Sequence, residues 1–170
     1  MGMMVLFALV VVALMAGYAW KSGHSLFGRS STSGASQELT AIAANIQGHY
    51  SQEGSFAGVT TATEISNGDI DASYVSGGTV DTPYGGTIVV SGPASLNGGT
   101  NNAVGLTVNN MSQEQCIDLA TAEAAYGINS GTTVAAGVNA ANSPATDAEA
   151  ETICTAAQGN ELTFTYTLSD

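Results

Sequence analysis

The chain opens on twenty residues without a charge, MGMMVLFALVVVALMAGYAW. As a helix this run would span about 30 Å, the hydrocarbon thickness of a bilayer, so residues 1–20 are predicted to insert in a membrane or to bundle with other apolar helices. The next stretch, KSGHSLFGRSSTSG, mixes glycines with serines and threonines, which oppose a continuous helix; residues 21–34 are predicted to be an extended connector. Helical periodicity returns in residues 35–52, where Leu39, Ile42, Ala43, Ile46 and Tyr50 recur at spacings of three and four and form one apolar stripe to pack under a sheet. Gly48 weakens the last turn, and Gly54 is the expected stop.

From Ser55 to Gly86 the pattern breaks into short polar pieces punctuated by Asn67-Gly68, Gly77-Gly78 and Gly85-Gly86, which predicts a loop region holding one short helix. Two strand-like runs follow, at 87–91 and 103–108, joined as a hairpin by a Gly/Asn-rich stretch. Ser112 stands three residues before Gln115, and Thr146 three before Glu149, the spacing at which a hydroxyl and a longer polar side chain satisfy the free donors of a helix start. Helices are therefore predicted over Gln113–Tyr126 and Asp147–Ala157. In the closing ELTFTYTLSD, Leu162, Phe164, Tyr166 and Leu168 alternate with threonines, the period-two pattern of a half-buried strand.

These elements predict an α+β fold: one globular head, residues 35–170, carried on an apolar helix and a stem. Composition agrees with one domain of modest core. Only 9% of residues are charged and the net charge is −12, with Lys21 and Arg29 as the only lysine and arginine. That leaves no row of cations to neutralise phosphates, which argues against direct nucleic-acid binding. The two cysteines, Cys116 and Cys154, permit one pairing, and in an exported domain they read as a bridge; two buried free thiols are the alternative. A bridge would close a loop of roughly 39 residues, for which loop-closure entropy suggests about 4 kcal/mol.

Candidate chemistry is sparse. Asn67, Asp69 and Asp71 place oxygens on alternate residues, yet Ala72 stands where a calcium loop has glycine and Gly78 where it has a bidentate glutamate. His24 and His49 lack the converging partners of a zinc site. No nucleophile elbow, zinc-protease helix, phosphate loop or dinucleotide fingerprint occurs. The expectation is no catalytic residue, no metal and no cofactor.

The layout resembles a type IV pilin: an apolar N-terminal helix, an interrupted stem, an amphipathic helix under an antiparallel sheet, and a disulfide-bounded region at 116–154. The stretches ELTAIAANIQGHYSQEGSF, NNAVGLTVNNMSQEQCIDL and the final ELTFTYTLSD are similar to PilS-like type IVb pilins. The resemblance implies a long interrupted N-terminal helix, removal of a short basic leader by a prepilin peptidase, and methylation of Met1. That processing would also reconcile an uncharged start with basic residues placed after the apolar run. One departure is Val5, where most type IV pilins have glutamate at the fifth mature position.

The implied function is polymerisation. Val5, Leu6, Phe7, Leu9, Val10, Val11, Val12, Leu14 and Met15 would pack in the filament core, and heads would form the shell. Implied partners are other copies of the chain, inner-membrane lipid before assembly, the peptidase and assembly machinery, and a target-cell surface. The filament would be extracellular, on a Gram-negative bacterium, and serve attachment, including donor–recipient contact in conjugation. The alternatives are a secretion-system pseudopilin and a membrane-anchored binding domain or hydrolase.

Overall fold

The computed structural model describes residues 32–97, 99–130, 133–134, 144–155 and 161–168. The apolar run 1–20, the processing position Met1 and the stem up to residue 31 lie outside them. Among the described residues no helix is long and apolar enough to cross a membrane.

Residues 32–50 are helical (α1). Their stripe is buried as the periodicity requires, with Leu39 and Ile46 fully inaccessible and Ile42, Ala43 and Tyr50 nearly so. Thr32, Ser33 and Gly34 are already helical, which corrects the expectation of an extended connector reaching residue 34. Tertiary packing overrides the weak propensity there: Thr32 and Ala35 are buried, and Gly34 lies so close to Pro83 that an added Cβ would sit 3.3 Å from its ring. The helix closes in a turn in which the Gly54 N–H donates to the Tyr50 carbonyl.

Among the described residues seven antiparallel strands form the sheet: β1 (Val75–Ser76), β2 (Thr79–Asp81), β3 (Thr87–Ala94), β4 (Ala103–Asn109), β5 (Gly127–Ser130), β6 (Thr133–Val134) and β7 (Leu162–Thr167), in the order β1-β2-β3-β4-β7-β5-β6. The C-terminal strand is thus inserted between β4 and β5. Register aligns apolar residues across the strands: Ile88 with Val108, Val90 with Leu106, Leu106 with Phe164, Phe164 with Ile128. This row joins the α1 stripe in one core. Hydroxyls bridge neighbouring strands at Ser91, Thr107 and Thr163, with Oγ–Oγ1 and Oγ1–Oγ1 distances of 3.0 and 2.9 Å, a cross-strand pairing available to serine and threonine.

The region 55–86 holds more structure than its pattern predicts. Helix α2 (Thr61–Asn67) is capped by Thr60, whose hydroxyl accepts from the Thr63 N–H. A 3-10 turn (Ala72–Tyr74) follows, and β1 and β2 form a hairpin around Gly77-Gly78, both at positive φ. Strands of two and three residues are too short for a period to show.

Helix α3 (Gln113–Ala122) starts with the expected reciprocal cap: the Ser112 N–H donates to Gln115 Oε1 at 2.8 Å, and the Gln115 N–H to Ser112 Oγ at 3.2 Å. It ends four residues short of the predicted Tyr126. Glu123 turns extended while its N–H still donates to the Leu119 carbonyl, and the Tyr126 N–H donates to Thr165 of β7; sheet pairing takes the Tyr126 donor from the helix. Helix α4 (Asp147–Ile153) starts where Glu149 Oε2 accepts from the Thr146 N–H and hydroxyl. It ends at Ile153, where Cys154 is the C-cap and is bonded to Cys116 of α3, their Cα atoms 5.7 Å apart; the predicted end at Ala157 lies outside the described residues.

Candidate assembly surface and buried carboxyl groups

The head contains no lysine or arginine beyond residue 29, so every buried carboxyl in it must be satisfied by neutral donors, by histidine, or from elsewhere. Among the described residues three glutamates are buried, on α1, on α2 and at the end of α3.

Glu123, 2% exposed, lies where α3 turns into β5. Ser36 Oγ of α1 donates to its Oε2 at 2.7 Å and the Tyr166 hydroxyl of β7 to its Oε1 at 2.7 Å, while Thr40 Oγ1, which has a nearer acceptor in the Ser36 carbonyl at 2.9 Å, lies 3.2 and 3.3 Å from the two oxygens. One carboxyl thus ties helix, sheet and connection together. Burial raises its pKa in spite of these hydroxyls, and burial followed by the Glu123 charge raises that of Tyr166. A cleft of about 390 Å³, lined by Ser36, Thr40, Ala44, Gln47, Glu123 and Tyr166, opens beside it.

Glu64 of α2, fully buried, accepts from the Tyr50 hydroxyl at 3.0 Å, and its second oxygen has no hydrogen-bond partner. Burial, and then the Asp69 carboxylate beside it, push the Glu64 pKa upward. Burial and the bond to Glu64 raise the Tyr50 phenol to about 12. Asp69 also meets His49 Nδ1 at 2.8 Å.

Glu38 of α1 is 2% exposed and neither of its oxygens has a partner. Burial, and then the Asp81 charge, raise its pKa to about 7. The Tyr84 hydroxyl is likewise buried without a partner; burial raises its pKa against an opposing effect of Thr82, and the Glu38 charge adds a smaller push upward.

Of the residues singled out from the sequence, Cys116 and Cys154 are bonded. The Asn67–Asp71 stretch is used structurally: Asn67 ends α2, Asp69 engages His49, and Asp71 caps the 3-10 turn at Ser73, whose bonds hold the Asp71 carboxyl below its ordinary range. His24 and the core-packing positions Val5 to Met15 lie outside the described residues. Glu38, Glu64 and Glu123 were not singled out. Only Glu38 carried a signal: it follows Ala35 by three residues and precedes Ile42 by four, inside the apolar stripe.

An α1 helix laid under an antiparallel sheet, with a disulfide joining α3 to the end of α4, is the arrangement expected of a pilin head. The family profile described as PilS N terminal matches residues 29–167. The chain belongs to the PilS family. No curated protein sequence matches it. Among solved structures it is similar to the type IVb pilin from Salmonella typhi, at 23% identity and a TM-score of 0.55, covering 81% of this chain and 98% of that one. It is similar also to TcpA, a type IV pilin from the El Tor biotype of Vibrio cholerae, at 19% identity and a TM-score of 0.54, covering 81% and 99%. This PilS-family head has the type IVb pilin fold.

Proposed function

We propose that this PilS-family chain is a structural subunit that polymerises into an extracellular type IV pilus and works through assembly, not catalysis. The observation that carries the reading is the family match across 29–167 on a type IVb pilin fold. Residues 1–20 pack in the filament centre, with Val5, Leu6, Phe7, Leu9, Val10, Val11, Val12, Leu14 and Met15 exchanging lipid contact for helix–helix contact. Head-to-tail contacts between unlike patches give an open helix rather than a closed ring.

In this reading a prepilin peptidase exposes Met1 for methylation, the subunit waits in the inner membrane of a Gram-negative cell, and the finished fibre contacts a target-cell surface in attachment, including donor–recipient contact. With Val5 in place of an acid, docking of a new subunit relies on apolar packing.

The test is electron microscopy of material sheared from cells carrying wild type or Val11→Asp. Long thin fibres are expected from wild type and none from the variant, because a carboxylate at the bundle centre costs about 3 kcal/mol or more. Absence of fibres from wild-type cells that also express the assembly machinery would reject the proposal.

A further inference from the structure

Helix α2 is docked differently from α3 and α4. Those helices bury apolar side chains, Cys116, Leu119 and Ala120 on α3 and Ala150 and Ile153 on α4, whereas the one buried residue of α2 is Glu64. Ile65 is only partly buried beside the core. Core residues flank the segment on either side, Val59 before it and Ile70 after it. Docked in this way, α2 covers a strand edge. β2 pairs with β3 only at Thr87 and Ile88, and beyond them the Val90 N–H of β3 donates to Thr61 Oγ1 of α2 at 2.9 Å. Without α2 that donor would stand open on the edge.

The groups around Glu64 all bear on its ionisation. From α1 the Tyr50 hydroxyl donates to its Oε1 at 3.0 Å, while its other oxygen is buried without a donor. The Asp69 carboxyl, just after α2, lies beside it, and two carboxyls bond to each other only while one carries a proton. Asp69 in turn meets His49 Nδ1 of α1 at 2.8 Å, an ion pair only while the imidazole is protonated. Glu53, in the turn after α1, acts on Tyr50. β3 brings no ionisable side chain, and no lysine or arginine lies beyond residue 29.

We propose that α2 is a proton-operated latch over the β3 edge: closed while Glu64 holds its proton, released over residues 60–69 once Glu64 ionises. Ionised in place, Glu64 and Asp69 would be neighbouring like charges, answered by one exposed imidazole. Lifting α2 returns both to water. Val59 and Ile70 stay in the core, so the opening is local. The closed carboxyl titrates at about 7 against an ordinary 4.5. Closure therefore has its full proton-linked stability below about pH 4.5 and loses it as pH rises through 7. The latch needs no second copy of the chain.

The test is amide hydrogen exchange of the full chain in neutral detergent micelles, from pH 5 to pH 8, with rates corrected for the intrinsic effect of pH. The reporters are the Glu64 and Asp69 N–H groups, bonded to the Thr60 and Glu64 carbonyls, and the Val90 N–H. Leu106 and Phe164, paired within the sheet, are the reference. Protection of the reporters relative to the reference is expected to fall roughly tenfold or more across this range. Glu64→Gln keeps an acceptor for Tyr50 and carries no charge, so it should retain at pH 8 the protection seen at pH 5. A loss shared equally by the reference amides would be global unfolding, to which Glu38 also contributes, and would overturn the latch. So would a Glu64→Gln variant that loses protection as wild type does. If that variant does not fold, the wild-type profile decides alone: reporters as protected at pH 8 as at pH 5 rule the latch out.

Discussion

Glu38 shows how one side chain couples the head to proton concentration. Its folded pKa of about 7 stands above the ordinary value of 4.5, so between these values the folded head holds a proton that the unfolded chain releases. Stability contributed by this group is complete below about pH 4.5 and is lost as pH rises through 7; Glu64 shifts in the same direction. The unassembled chain should therefore melt at a higher temperature at pH 5 than at pH 8, by circular dichroism. Glu38→Gln should raise the pH 8 midpoint and flatten the profile between pH 5 and 7. A Gln variant that melts lower than wild type at pH 8 would show that the ionised carboxyl is stabilising.

Helix α1 carries its own test at the element scale. Gly48 is exposed near its C-terminal end, and a Cβ built there meets nothing within 4 Å. Gly48→Ala is expected to stabilise the head by about 0.5–1 kcal/mol through helix propensity and reduced freedom of the unfolded chain. Gly68 also has open space around it, but sits at φ 82 as the left-handed cap of α2, its N–H donating to the Glu64 and Ile65 carbonyls. Gly68→Ala should destabilise by about 1 kcal/mol. Urea midpoints of the two variants should move in opposite directions; movement in the same direction would remove the backbone explanation.

Across the whole molecule the Cys116–Cys154 bond spans 38 positions and fastens α3 to α4 outside the sheet. In the chain-entropy account its removal costs about 4 kcal/mol, a large share of the 5–15 kcal/mol that holds a typical domain. The double variant Cys116→Ser/Cys154→Ser should lose several molar units of urea resistance, or fail to accumulate as a folded subunit. A midpoint shift below about 0.5 M would show that the helices hold the region without the bond.

The sequence by itself determined the elements whose signal is local and repeated. The α1 stripe, the alternation of β7, the β3–β4 hairpin and the caps at Ser112 and Thr146 follow from side-chain periodicity and from donors that a helix start leaves free. Two cysteines admitted one intramolecular pairing. Tertiary structure alone decided what depends on distant partners. Residues 32–34 become helical because Pro83 and the core meet them, and α3 falls short of Tyr126 because β7 takes the Tyr126 backbone donor. The β1–β2 pairing needs a third strand before its few residues count. The buried glutamates were hidden for the same reason: a carboxyl reads as surface in a sequence, and only the approach of α1, the β2–β3 turn and β7 removes it from water.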